Sequence, residues 1–88
     1  MNIFYEDEDG WLGWSEKDNI ISIHTEIVNW NILKYKKYLF IFSSMLNKFK
    51  GRELYSIAKT EKAKKFNELF GLSLLEEKDG VFIMGIKA

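Results

Sequence analysis

The chain has 88 residues, 13 basic and 13 acidic side chains, no cysteine, no proline and one histidine. That length holds one domain with a small core, and the charge balance excludes both a polyanion that mimics DNA and a globally basic nucleic-acid packer. Without cysteine there is no disulfide frame, thiol nucleophile or cysteine-built metal site, and one histidine leaves too few ligands for zinc, so no metal is expected. A composition of 47% hydrophobic and 16% aromatic residues is that of a folded globule. The longest apolar run, Tyr38–Phe42, is too short to cross a membrane. The start, MNIFYEDEDG, is acidic and unlike a signal peptide. A cytoplasmic protein without membrane contact is the expectation.

In chain order, Asn2–Tyr5 is short and aromatic-rich and reads as a strand. Glu6–Gly10 is acidic and ends in Asp9-Gly10, a hairpin signal. Trp11–Ser15 reads as a second strand, with Gly13 marking a bulge. Lys17-Asp18-Asn19 makes the next turn. Ile20–Ile27 is the clearest strand, because Ile21, Ile23, Thr25 and Ile27 alternate with Ser22, His24 and Glu26.

Over residues 33–50 the apolar spacing is helical. Tyr35, Tyr38, Leu39, Phe42, Met45, Leu46 and Phe49 form one face opposite Lys34, Lys37, Ser44 and Lys48. Lys48 and Lys50 before Gly51 suit a helix C-terminus. Glu53–Ala58 then reads as a buried strand, parallel to 20–27 because a right-handed helical crossover joins them. Thr60 caps a second helix, with Glu61 in its first turn and Ala63, Phe66, Leu69 and Phe70 on its buried face. Gly71 ends it. Leu72–Glu76, the turn Lys78-Asp79-Gly80 and Val81–Ile86 close the chain as a hairpin. The expected fold is α/β, an α+β mixed sheet in the order βββαβαββ, as one domain over residues 1–88.

The charges are segregated along the chain. Residues 1–30 carry seven acids and one lysine, and residues 31–66 carry ten bases and two acids. The two blocks face each other, form two poles, or, as charge runs usually do, make solvated faces with local pairing.

Residues 60–72, TEKAKKFNELFGL, resemble the late helix of the GNAT family of N-acetyltransferases. Ala63, Phe66 and Gly71 fall on the family's positions, Leu72 replaces a Phe, and the closing Asp79-Gly80 hairpin is similar. The resemblance spans residues 2–87 and covers the second half of the family domain. It implies a truncated, acetyltransferase-like half-domain. In an active member it would place a catalytic carboxylate near Glu26, with His24 beside it. Acetyl-CoA would lie against Asn29, Asn31, Thr60 and Asn67. The family's loop Gln/Arg-x-x-Gly-x-Gly/Ala cradles a pyrophosphate with backbone N–H groups at a helix N-terminus. Here that stretch is Ile27–Leu33, with no glycine and with Trp30 in its middle. Thr60 stands at a cofactor-contacting Asn position. Asn67 stands where the family often has a proton-donating Tyr, and an amide gives up no proton near neutral pH. The resemblance thus implies the fold without the activity, and no cofactor. Small acetyltransferase-like proteins of tailed bacteriophages are similar in their lysine-rich central helix and their ending. That likeness implies a virion-associated or host-targeting role.

The candidate interaction residues are Trp11, Trp14 and Trp30, with Lys34 and Lys37. Trp11 and Trp14 share a strand face only if Gly13 is a bulge. A truncated sheet would leave an edge and apolar surface near the tryptophans, which a homodimer or another protein would cover. Lysines 34–65, with Tyr35 and Tyr38 to stack, suggest a nucleic-acid surface more weakly, because one arginine is little for base readout. The acidic stretch Glu6–Asp9 lacks a calcium-loop pattern and reads as a solvated turn or a patch for a basic partner. The leading expectation is a non-catalytic interaction protein. An active N-acetyltransferase is second, and a nucleic-acid-binding protein third.

Overall fold

The computed structural model describes residues 1–88. The elements are β1 (Asn2–Asp7), β2 (Gly10–Lys17), β3 (Ile20–Ile27), α1 (Ile32–Lys48), β4 (Glu53–Ala58), α2 (Glu61–Leu69), β5 (Ser73–Lys78) and β6 (Val81–Lys87). They build one six-stranded mixed sheet in the order β1-β2-β3-β4-β6-β5. This is the expected α+β succession. β3 and β4 are parallel as expected, and every other neighbouring pair is antiparallel.

Two hairpin turns need left-handed backbone, and residues that tolerate it stand there. Asp18 and Asn19 have φ of 54° and 66°, and Asp79 and Gly80 have φ of 53° and 78°. Such mirror-type turns match the twist of the strands they join. The first hairpin differs from expectation. Its loop is Glu8-Asp9, and Gly10 already pairs with Asp7. Gly10 is needed for close approach, since a Cβ there would lie 2.0 Å from the Glu26 carbonyl oxygen.

Gly13 does not mark a bulge. β2 pairs without interruption along β3, from Gly10↔Ile27 to Lys17↔Ile20. The irregularity lies in β1, between Ile3 and Tyr5. Trp11 and Trp14 therefore point to opposite faces. Gly13 makes room for β1 instead, as a Cβ would sit 2.6 Å from the Asn2 carbonyl oxygen.

Both helices are capped from their own side chains. Asn31 accepts from the Lys34 N–H at 2.9 Å, and Thr60 accepts from the Ala63 N–H at 3.0 Å. α1 buries Tyr38, Ile41, Phe42 and Met45. These pack against Leu12, Ile21, Ile23, Leu54 and Met84 of the sheet. α2 joins the same layer, with Phe70 meeting Phe42 edge-on at 5.7 Å. Both helices thus cover one face of the sheet. Two right-handed crossovers that step in the same direction along a sheet require this. The C-terminus is pinned to the α1–β4 connection. There the Ala88 N–H donates to the Arg52 carbonyl, and the Gly51 N–H donates to the Ala88 carbonyl.

β4 is buried on one face only, which narrows the expectation of a buried strand. Leu54 and Ala58 face the helices and are buried, whereas Ile57 faces away and is 63% exposed. Leu54→Ala is expected to lower stability by about 2–5 kcal/mol, seen as a fall in Tm on the order of 10–40 °C. Ile57→Thr is expected to change it by less than about 1 kcal/mol. Thermal unfolding followed by circular dichroism measures both.

Candidate functional site

β3 and β4 pair only at Ile21↔Leu54 and Ser22↔Tyr55, and beyond these the strands separate. The gap holds a cavity of about 300 Å³ lined in part by His24, Thr25, Ser56, Ile57, Phe66 and Asn67. Past the end of β3 lies an open hollow of about 670 Å³ among Asn29, Trp30, Lys62, Lys65 and Leu69. Thr60 lies on the rim between the two.

The gap gathers some of the residues singled out from the sequence, but most are engaged locally. His24 Nε2 is 2.9 Å from Ser15 Oγ. Asn67 Nδ2 donates to the Ala63 carbonyl in its own helix at 2.9 Å. Thr60 and Asn31 accept from backbone N–H groups as helix caps. Glu26 is exposed and stands opposite Trp11 in the β2–β3 ladder, outside the cavity lining. His24 and Glu26 share a strand face, as expected, but His24 alone lines the gap.

The start of α1 is not an open anion cradle. Asn29 has φ of 51°. The Val28 N–H donates to the Asp9 carbonyl at 2.8 Å, and Lys34 Nζ donates to the Val28 carbonyl at 2.8 Å. Asp9 is 3.3 Å from Lys34 Nζ. A phosphate arriving here would meet a carboxylate and the exposed side chains of Ile32 and Leu33.

The strongest electrostatic feature is one that sequence reasoning divided between two surfaces. Lys34 and Lys37 do not stand free, and Asp7 and Asp9 are not a solvated turn. Asp7 accepts from Tyr5 Oη at 2.7 Å, Tyr38 Oη at 2.8 Å and Lys37 Nζ at 2.7 Å. Asp9 takes Lys37 and Lys34, and its own N–H donates to Asp7 at 2.9 Å. The signal was present in two periodicities. Tyr5 and Asp7 share a side of β1 past its irregularity, and Lys34, Lys37 and Tyr38 share a face of α1 at i, i+3, i+4. Nothing local says that the two faces meet. No cluster of His, Asp and Glu side chains is arranged to hold a metal ion.

Lys37, with the two tyrosine hydroxyls, holds the Asp7 carboxyl well below the usual carboxylate range, against the opposing effect of burial. Lys37 lowers Asp9 in the same way. The two carboxylates raise the Lys37 ammonium. Burial, then the bond to Asp7, raises the Tyr38 hydroxyl. The bond to Asp7 raises that of Tyr5.

The three tryptophans do not form one patch. Trp14 packs on Phe49 with ring centroids 4.8 Å apart, under the core-facing helix. Trp30 meets Phe66 and Tyr35 edge-on, with ring centroids 5.0 Å and 5.7 Å away, closing the seam between α1 and α2. Trp11 lies on the helix-free face of the sheet. Tyr55, Ile57, Leu75 and Ile83 lie on that face too, by strand alternation and the β4–β6 and β5–β6 registers. Both sheet edges are interrupted, β1 at Phe4 and β5 at Leu75, and both carry acids. Such edges resist pairing with another strand.

No helix is long and apolar enough to cross a membrane. No family model matches the chain, and neither a curated protein nor a solved structure matches it.

The depressed carboxylates contribute stability that is present above their ordinary value of 3.8 and lost as pH falls toward their folded values. The raised Lys37 and Tyr38 contribute stability that is present below their ordinary values of 10.5 and 10.0 and lost as pH rises through the folded ones. Tm is therefore expected to be level from about pH 5 to 9 and to fall on both sides. Asp7→Asn should lower the plateau and flatten the acid limb. Tyr38→Phe should cost about 1.5–3 kcal/mol by losing a hydrogen bond to a charged group. Thermal melts across pH test all three.

Proposed function

We propose that this chain is a small non-catalytic protein-interaction module on an acetyltransferase-like scaffold, and that a protein partner docks on the helix-free face of its sheet. The observation that carries the reading is the apolar row on that face: Ile57 of β4 is 63% exposed, Trp11, Tyr55 and Ile83 of β2, β4 and β6 are half-buried around it, and both helices lie on the other face. A mostly antiparallel sheet can leave one face to water, but that face then ordinarily carries polar side chains, and here Ile57 and its neighbours are apolar. An apolar patch left open on such a sheet marks a binding surface. The engagement of Asn31, Thr60 and Asn67 in local hydrogen bonds supports the non-catalytic part. So does the Asp9 carboxylate close to the start of α1. A cytoplasmic setting belongs to the same proposal. The likeness to small phage proteins makes a virion protein or a host enzyme the partner class to try first.

A second reading is an acyl-CoA-binding acetyltransferase, and one observation favours it. The divergence of β3 from β4 opens a polar and aromatic gap that continues to Lys62 and Lys65. A nucleic-acid surface is weaker than its lysine count suggests, because Asp7 and Asp9 neutralise Lys34 and Lys37.

Expressed in its own cells, the chain is expected to elute in a stoichiometric complex with a second protein. Ile57→Glu should return it to the size of the free protein while Tm stays within a few degrees. Elution of the wild type at the free size would count against the interaction reading. In parallel, Tm is expected not to move with acetyl-CoA. A rise by mass action, about 2.7 kcal/mol of stability at a hundredfold excess over Kd, would bring the enzyme reading first.

A further inference from the structure

The helix-free face carries charge as well as apolar surface, and the two are ordered. In the β1–β2 and β2–β3 ladders Trp11 stands directly between Glu6 and Glu26. In the β4–β6 and β5–β6 ladders Ile83 stands between Ile57 and Glu76. Residues opposed in this way share one face, with Cβ atoms about 4.5–5.5 Å apart. Trp11 and Ile57 also line the same cavity, so the two rows border one opening although β3 and β4 have parted there. Glu6, Glu26 and Glu76 are exposed, and none of them enters an ion pair of the chain. The lysines of that face, Lys17, Lys78 and Lys87, each end a strand. Trp14 and Trp30 pack on other aromatic rings, whereas Trp11 has none beside it.

We infer that the partner on this face is a basic polypeptide segment that lays an arginine on Trp11 between Glu6 and Glu26. The inference rests on the docking face proposed above and adds the chemistry of what docks there. Carboxylates without a cation, set among apolar side chains, are complementary to a partner that brings both cations and apolar groups. A guanidinium suits the row of carboxylate, indole and carboxylate better than an ammonium does. Its plane stacks on an aromatic face while its edges donate to carboxylates on either side. An aliphatic side chain of the same segment rests on Ile57 and Ile83. The same charges disfavour other occupants. Phosphates are repelled, so the face is not a nucleic-acid surface. A second copy placed face to face brings glutamate against glutamate. A second copy could offer only the helix lysines outside ion pairs, such as Lys36, Lys62 and Lys65. That arrangement is head-to-tail and builds a ring or filament rather than a pair.

The probes are short labelled peptides of leucine and serine that carry arginine, lysine or glutamate at the same positions, with binding to the full chain read by fluorescence anisotropy. The arginine peptide is expected to bind more tightly than the lysine peptide, and the glutamate peptide not to bind. Glu6→Gln combined with Glu26→Gln should weaken the arginine peptide at least about tenfold, as loss of central charged contacts does. Both glutamates are exposed, so Tm should hold. Glu61→Gln combined with Glu68→Gln makes the same change in charge on α2 and should leave binding within about twofold, because salt screens distant charges. Trp11→Leu should narrow the difference between the arginine and lysine peptides. Failure of the arginine peptide to bind by about 1 mM would overturn the inference, as would equal binding of all three peptides. So would binding indifferent to the paired Gln variant, or a free chain that sediments as a polymer through this face. The docking reading is scored separately by the cellular complex and Ile57→Glu. A complex that Ile57→Glu breaks and the paired Gln variant leaves intact would keep the docking face and overturn the arginine.

Discussion

Both crossovers in this fold step in the same direction along the sheet, from β3 to β4 and from β4 past β6 to β5. A right-handed crossover places its helix on a side set by that direction. Both helices are therefore on one face, and their apolar sides meet the same thirteen-residue core. The other consequence is an uncovered sheet face. Residues that would be interior in a three-layer protein, such as Ile57 and Ile83, stand outside the core. The core and the exposed patch both depend on this one constraint.

The segregated charges have a physical role that their position in the chain does not reveal. The acidic β1–β2 hairpin folds onto the basic first half of α1. Two of its four acids turn inward to Lys34, Lys37 and two tyrosine hydroxyls. Each partner favours the charged form of the other. A carboxylate with several donors, at the edge of a small core, orients the hairpin as well as stabilising it. Arg52 makes a related contact at the far end, holding Glu16 at 2.9 Å. The β1–β2 hairpin is thus held to the helix above it partly by charge. The join between α1 and α2 is instead aromatic, through Trp30, Tyr35, Phe66 and Phe70.

Much of the fold was legible because its signals are local. Ile20–Ile27 alternates and α1 repeats at helical spacing. Thr60, Asp18-Asn19 and Asp79-Gly80 carry cap and turn chemistry that nearly any context would keep. The candidate sites were less legible. Asn31, Asn67 and Thr60 have side chains that suit a ligand equally well, and only the backbone around them shows that they are already engaged. Gly13 illustrates the same limit. A glycine inside a strand signals either a bulge or a close approach, and which one depends on Asn2 in another strand.

The sequence by itself determined the element order, the position of nearly every turn, the parallel relation of β3 and β4, and the inward face of α1; on α2 the expected face holds only in part, since Leu69 is exposed and Ala63, Phe66 and Phe70 are half-buried. Those properties follow from neighbours a few residues apart, through backbone preference and apolar period. Only the tertiary structure decided that Lys34 and Lys37 are paired, that Trp11 and Trp14 part to opposite faces, and that Ile57 and Phe40 are left outside. Those outcomes depend on which surfaces meet across thirty residues or more of chain, and a local pattern carries no record of its distant partner.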